Sequence, residues 1–243
     1  MSYDWHWGVF LESASARETY LDWLLSGFRT TVEMGALAWV LAFFLGSILG
    51  VMRTANNRPA AFIATVYVEV VRNVPLIVQL FLWYYLAPEF LPGSWRNWLF
   101  SQAPATTAFV TATLGLGFFT AARVCEQVRS GIQSLPRGLR NAALAMGFTL
   151  PQAYRYVLLP VSYRMIVPPM TSEMLSIFKN SSIAATIGVI DLFARTRQLN
   201  DYTARAYESF IAVILCYFII NAAIMLAMHL LERRIRIPGF MGN

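Results

Sequence analysis

Five long apolar segments, separated by shorter polar stretches, dominate the hydropathy pattern of the chain. They cover residues 28–52, residues 61–86, a third run from near residue 105 into the stretch 114–131, residues 164–189 and residues 210–231. A hydrocarbon core of about 30 Å is crossed by roughly 20 helical residues, so each segment is long enough to span a membrane. The pattern predicts an all-α integral membrane protein with five transmembrane helices.

Glycine and proline positions add detail to these helices. Gly46 and Gly50 have the GxxxG spacing that lets two helix backbones approach closely. Pro75 removes a backbone donor inside the second segment, which predicts a break in that helix. Pro168 and Pro169 lie within the fourth segment, where neighbouring helices can satisfy the backbone groups that proline leaves unpaired.

Composition agrees with a membrane protein and excludes an ordinary water-soluble domain. Hydrophobic residues make up 57% of the chain, charged residues 13%, and the mean hydropathy is +0.52. The net charge of +6 would suit nucleic acid, but the basic residues are scattered at segment ends and form no stripe, so we expect lipid and no nucleic acid as a partner. Cys125 and Cys216 lie in apolar segments without metal-binding spacing and are interpreted as core residues.

The ends of the apolar segments predict how the chain is oriented. The first residues lack the pattern of a cleaved signal peptide, and their aromatic side chains favour an interfacial or periplasmic segment over residues 1–26. More arginines flank the inner ends of the helices when the N-terminus is outside, and the basic run LERRIRIPG directly follows the fifth helix. We therefore expect a periplasmic N-terminus and a cytoplasmic C-terminus.

The least membrane-like interior stretch, residues 128–160, contains two predicted short helices. The run NAALAMG, residues 141–147, has high helix propensity and ends in a glycine. Thr149 and Gln152 are spaced as a capping box, with Pro151 in the first turn of the next helix. These residues alone leave two interpretations open, a loop that packs on its own helices and a docking segment for a partner.

Two motifs resemble known transport proteins. The segment NAALAMGFTLPQAYRYVLLP resembles the cytoplasmic signature of ABC-importer permeases, and RNVPLIVQ, residues 72–79, resembles a hallmark of their polar amino-acid branch. The similarity extends over residues 27–238 and is closest to the glutamate/aspartate permeases of that branch. The residues that match the cytoplasmic signature in order and spacing are Ala142, Ala143, Gly147, Leu159 and Pro160.

The resemblance implies a type I importer permease fold, with a permease domain over residues 27–238, a cytoplasmic coupling loop over about 128–160 and a tail over 239–243. It further implies a dimer of ATPase subunits, a periplasmic amino-acid-binding protein, an acidic amino acid as substrate, and a second permease subunit, with a related hetero-partner favoured over a homodimer. The helix around Asn141 would dock on the ATPase. Asn141 departs from the family pattern, which has glutamate there, so one interfacial ion pair is in doubt.

Alternative functions are weighed by the chemistry that the chain offers. The only lysine, Lys179, lacks the glycines of a nucleotide-binding loop, and His6 and His229 are isolated, so we expect no enzyme, no cofactor and no metal. A secondary transporter, or a permease for glutamine, histidine or arginine, remains open. Transport in proteoliposomes driven by an ion gradient alone would separate the secondary transporter from an ABC permease.

Polar residues inside the apolar segments are the candidates for substrate contact. Arg123, Glu126 and Arg129 are three apart, so they share a helical face and can pair with one another. In other permeases of the branch, the position of Arg123 usually holds an apolar residue, and a guanidinium there suits a dianionic substrate. The competing interpretation is a structural role, either an ion pair with Glu126 or snorkelling of the side chain to the cytoplasmic surface. The further candidates for the substrate pathway are Arg72, Asn73, Thr120, Glu173, Lys179 and Ser181.

Overall fold

The computed structural model describes residues 3–55 and 57–235. The predicted tail, residues 239–243, and Arg236 of the basic run lie outside the described residues. The helices are α1 Tyr20–Thr54, α2 Arg58–Asn73, α3 Leu76–Phe81, α4 Gly93–Ser101, α5 Pro104–Gln133, α6 Arg137–Ala145, α7 Leu150–Ala153, α8 Leu159–Asn180, α9 Leu192–Thr203 and α10 Ala206–Ile235. Short 3-10 or π-helical turns cover Trp7–Leu11, Leu82–Leu86, Ala87–Phe90, Tyr154–Leu158 and Ser181–Ile187.

The predicted all-α membrane architecture is confirmed. Helices α1, α5 and α10 are each long and apolar enough to cross a membrane. Within the described residues, two bent pairs bring the number of spans to as many as five: α2 with Leu76–Phe90, bent by 108°, and Leu150–Ile187 with α9, bent by 54°. All five predicted segments therefore correspond to helical structure.

The second and fourth predicted helices differ in detail from the structure. The second is interrupted at Val74, because Pro75 cannot continue the backbone hydrogen bonds of α2, as its sequence predicted. The fourth helix begins at Leu159, before the predicted residue 164, and its last part is a 3-10 helix. Helix α1 begins at Tyr20 and so includes residues 20–26, which the sequence assigned to a separate N-terminal segment.

The chain forms two compact units. Unit 1 comprises residues 1–39, 75–117 and 176–223. Its core joins the start of α1 to α9 and α10 through Leu24, Leu192 and Val213, and Val9 of the first 3-10 turn is buried against them. The hydroxyl of Thr31 accepts the backbone N–H of Leu192 at 3.0 Å, which fixes α1 against the N-terminus of α9.

Unit 2 comprises residues 40–74, 118–175 and 224–243, and it holds the close helix contact that the GxxxG spacing predicts. A Cβ atom on Gly46 would lie 2.6 Å from the Cβ of Val124, and one on Gly50 would lie 2.6 Å from the Cβ of Val128. The backbones of α1 and α5 thus approach at a distance that only glycine permits. Cys125 is buried in the adjoining core, as predicted.

Candidate functional site

A polar cavity of about 220 Å³ lies within unit 2, where α2, α5 and α8 meet. Its walls carry both signs of charge, which is unusual for a site within apolar helices and points to a functional role. Three of its residues, Phe119, Arg123 and Gln127, are spaced four apart on α5 and so share one helical face. The lining residues are Arg72, Phe119, Arg123, Glu126, Gln127 and Glu173.

Arg123 is held only loosely by a protein carboxylate. Its Nη1 atom lies 3.6 Å from Oε2 of Glu173, which is an ionic contact longer than an ordinary hydrogen bond. The guanidinium is half-exposed to the cavity and lies over the ring of Phe119 at 5.5 Å from its centroid. Gln127 donates to Oε1 of Glu173 at 3.4 Å. Among the described residues, Arg123 thus lines the cavity with its carboxylate contact at 3.6 Å and no closer one.

The pairing of the charged triad is only partly as its spacing predicts. Glu126 pairs with Arg129, three residues further along α5, through contacts of 2.9 Å from Nε and 2.7 Å from Nη2. Arg53 at the end of α1 also donates to Glu126. Arg123 pairs with Glu173 on α8 instead of Glu126, because the carboxylate of Glu126 is already enclosed by these two arginines.

Arg72 and Asn73, at the end of α2 where the helix is broken, make different contacts. The amide of Asn73 donates to the carbonyl of Glu69 at 2.7 Å, so it satisfies backbone in the last turn of α2. Arg72 instead lines the cavity, with its Nη1 atom 3.7 Å from Oε1 of Glu126. Asn73 therefore serves the backbone of α2, whereas Arg72 faces the cavity.

Three other candidates do not line this cavity. Thr120 is buried within unit 2. Lys179 is exposed in unit 1, and Ser181 donates to the carbonyl of Phe178 at 2.7 Å, closing the end of α8. The cavity residues that the sequence pattern did not single out are Phe119 and Gln127, which their four-residue spacing from Arg123 would have revealed. It also did not single out Arg53, which pairs with Glu126.

The predicted coupling segment folds as a short helix with a defined stop. Helix α6 ends where Gly147 adopts a φ of +90°, a conformation that favours glycine. The N–H of Gly147 donates to the carbonyl of Leu144 at 3.0 Å and that of Phe148 to the carbonyl of Ala143 at 3.2 Å, the bonds of a Schellman motif. Thr149 then begins the next helix through the predicted capping box with Gln152.

The residues of this segment divide between two faces. Asn141, Ala142, Gly147 and Pro160 are exposed, and Leu159 is half-buried. Ala143, by contrast, is only 3% exposed and packs against its own chain. Nearby, the hydroxyl of Tyr154 donates to the carbonyl of Thr54 at 2.7 Å and fixes the following turn to the end of α1. A partner would therefore meet one face of α6 while the other holds the helix in place.

A model of the family described as the inner membrane component of binding-protein-dependent transport systems matches residues 42–237. The chain belongs to this family. The matched region contains every residue of the cavity and of the coupling segment. Membership makes the chain a transport component of a membrane, as the sequence motifs predicted.

Individual relatives match most or all of the chain. It is 56% identical to the glutamate/aspartate import permease protein GltJ of Escherichia coli K12, across 100% of both chains. It is 30% identical to the glutamate/aspartate import permease protein GltK of Escherichia coli O6:H1, across 96% of this chain and 99% of that one. A crystal structure of an amino acid ABC transporter with histidines matches with a TM-score of 0.74 and 29% identity, across 88% of this chain and 95% of that one.

Proposed function

We propose that the chain is one permease subunit of an ABC importer that carries glutamate and aspartate into the cytoplasm. Its end-to-end identity of 56% with a glutamate/aspartate import permease supports this substrate class. The importer would contain a separate ATPase dimer and a periplasmic binding protein. A second glutamate/aspartate permease at 30% identity supports a related hetero-partner over a second copy of this chain.

The cavity in unit 2 supplies the chemistry that such a substrate needs. An acidic amino acid brings two carboxylates and one ammonium group. Arg72 and Arg123 offer two guanidinium groups that cannot lose their protons, and Glu173 offers a carboxylate for the ammonium group. Arg123 is the residue to which we assign recognition of the side-chain carboxylate, since its planar fork binds a carboxylate through two parallel hydrogen bonds.

Because Arg72 and Arg123 are loosely paired, exchanging a protein carboxylate for a substrate carboxylate costs little free energy. At 3.6 and 3.7 Å from protein carboxylates, Arg123 and Arg72 give up little when a substrate carboxylate approaches to hydrogen-bond distance. The substrate carboxylate thereby takes the place of a protein carboxylate as the close partner of each arginine. A neutral amide such as that of glutamine has one acceptor oxygen and no charge, and its NH2 group cannot accept from an arginine, so the site favours the acid.

Coupling to ATP is assigned to the exposed face of α6. The chain would have a periplasmic segment over residues 1–26, a permease domain over 27–238 and a cytoplasmic tail over 239–243, with the N-terminus outside. Closure of the ATPase dimer would draw the helices around Asn141–Gly147 of the two permease subunits together and reorient the membrane helices. The exposed Asn141 and Ala142 and the glycine-defined exit at Gly147 support this role.

Arg123→Gln tests the substrate assignment. In the purified complex with its binding protein, the variant is expected to lower glutamate and aspartate transport at least tenfold and glutamine transport far less, because the amide keeps hydrogen bonds but loses the charge. ATPase stimulation by the loaded binding protein is retained. Arg29→Gln removes an arginine from an exposed pair on α1 and serves as the control with normal transport.

Normal glutamate transport by Arg123→Gln, in a complex assembled at normal levels, would mean that Arg123 is structural and that the anion site lies elsewhere. A complex that transports glutamine, histidine or arginine but no glutamate in its native form would instead overturn the substrate class. Transport without ATP in proteoliposomes would reject the importer itself.

A further inference from the structure

The first residues of the chain are fastened to the corner between α9 and α10. Glu208, in the first turn of α10, is fully buried and accepts the hydroxyl of Tyr3 at 2.5 Å and the backbone N–H of His6 at 2.8 Å. Arg205 donates to the carbonyl of Asp4 at 2.7 Å. Burying a carboxylate costs free energy unless it is well hydrogen-bonded. The hydrogen bonds to Glu208 offset that cost and hold the N-terminal segment in place.

The corner itself is conformationally strained. Ala204 has a φ of +54°, a left-handed conformation that alanine rarely adopts, and its N–H closes α9 through a bond of 2.8 Å to the carbonyl of Asn200. Strain of this kind concentrates at sites that bind or switch. Arg205 directly follows Ala204 and binds the N-terminal segment through the carbonyl of Asp4.

The fastened segment presents a rigid aromatic surface. The rings of Trp5 and Trp7 lie parallel with centroids 5.7 Å apart, and Tyr3 makes edge contacts with Trp5 at 5.0 Å and with Tyr207 at 4.6 Å. About half of Trp5 and Trp7, and more of Tyr207, is exposed. We name Trp5, Trp7, Tyr202, Tyr207 and Arg205 the N-terminal platform.

Beside this platform opens a polar cavity of about 340 Å³ within unit 1. His6 and Glu12 face each other across 2.8 Å on one side of it, and Tyr202, Thr203 and Arg205 line the other side. A cavity of this polarity is unsuited to a lipid chain. Exposed tryptophan, tyrosine and arginine grouped around a cleft are instead typical of the residues that dominate binding energy between proteins.

The chemistry of the family identifies the partner. A binding-protein-dependent importer must receive a soluble, substrate-loaded protein on its outer side, where our proposed orientation places the N-terminus. Trp5 and Trp7 precede residue 42, where the family match begins, whereas Tyr202, Arg205 and Tyr207 lie within the matched region. We propose that the soluble binding protein docks on the N-terminal platform. This inference rests on the proposed function for its orientation and its partner.

The test removes two exposed rings and leaves the fastening intact. Trp5→Ala/Trp7→Ala in the full complex, reconstituted in lipid nanodiscs, is assayed for ATPase activity against the concentration of glutamate-loaded binding protein. The half-maximal concentration is expected to rise at least tenfold, while the basal rate and the rate at saturation stay normal. Tyr202→Ala, on the cavity side and 71% exposed, is expected to shift it in the same direction.

A matched control comes from the same unit. Trp95 and Trp98 of α4 are 65% and 51% exposed, against 51% and 49% for Trp5 and Trp7. Trp95→Ala/Trp98→Ala is expected to leave the half-maximal concentration unchanged. Equal shifts in both pairs, or no shift in Trp5→Ala/Trp7→Ala, would overturn the proposal.

The membrane surface is the competing occupant and gives a different result. If the platform anchors the chain among lipid headgroups, Trp5→Ala/Trp7→Ala changes the yield of assembled complex with lipid composition, and the half-maximal concentration stays normal. That outcome also overturns docking. Failure of the proposed function is recognised separately, because then no loaded binding protein stimulates even the unaltered complex.

Discussion

Replacing Glu126 by alanine removes the carboxylate on which two arginines converge. Arg53 of α1 and Arg129 of α5 both donate to it, and Arg72 lies 3.7 Å away. The side chains of Arg53 and Glu126 are only 12% and 18% exposed, so solvent screens their interaction little. We expect Glu126→Ala to loosen the contact between α1 and α5.

The loss of stability expected for Glu126→Ala depends on how deeply its two arginine partners are buried. Leaving a nearly buried arginine without its partner costs about 3–5 kcal/mol, whereas an ion pair within one turn of an exposed helix contributes about 0.3–0.5 kcal/mol. Arg53 therefore accounts for most of the loss, and Arg129, which is more exposed, for little of it. Glu126→Gln keeps an acceptor oxygen and is expected to lose less.

Thermal unfolding of the purified complex in detergent measures this loss. Glu33→Ala is the control, because Glu33 forms an exposed pair with Arg29 at 2.7 Å, and its melting temperature should stay near that of the native complex. Arg53→Met combined with Glu126→Ala should lose less stability than the sum of the two single variants. Additive losses, or equal losses for Glu126→Ala and Glu33→Ala, would refute the reasoning.

Two other pairs of substitutions probe the coupling segment and the close helix contact. Ala142→Glu, on the exposed face of α6, should leave the complex assembled but uncouple ATP hydrolysis from transport, whereas Ala143→Glu should lower the amount of assembled complex because that side is buried. Gly46→Ala should destabilise by about 1–3 kcal/mol in a melting assay, since its Cβ would lie 2.7 Å from the carbonyl oxygen of Ala121. Gly138→Ala, whose Cβ would meet nothing within 4 Å, should be neutral, and a matching loss there would contradict the steric explanation.

Helix positions were predictable because the membrane imposes one requirement on every span. About 20 apolar residues must occur together, and this pattern is present in the sequence however the helices pack against one another. The break before Pro75 was also predictable, since proline removes a backbone donor wherever it occurs. The bend of 108° that follows was not, because its size depends on which side chains the next helix packs against. The early start of α8 at Leu159 was missed because helices continue past the apolar region into polar sequence.

Of the contacts in the site, only those within a single helix could be predicted from the sequence. Spacing along α5 correctly placed Glu126 beside Arg129, since residues three apart are neighbours on any helix. The partner of Arg123 lies 50 residues away on α8, and no periodicity in a single sequence pairs two separate helices. The same limit explains why Ala143 appeared equivalent to Ala142: the motif identifies the segment, and only packing decides which face is buried.

The two kinds of ion pair in unit 2 suit different tasks in one transport cycle. Glu126 is enclosed by close donors, so it has no vacant position to offer a substrate and serves to hold α1 and α5 together. Arg123 contacts Glu173 at 3.6 Å, and in the proposed function its guanidinium would transfer to a substrate carboxylate without becoming unpaired. A transport site must bind strongly enough to admit its substrate and weakly enough to release it. If Arg123 binds the substrate as we propose, a protein carboxylate that competes for the same arginine would keep the affinity within that range, because it would recapture the guanidinium as the substrate leaves.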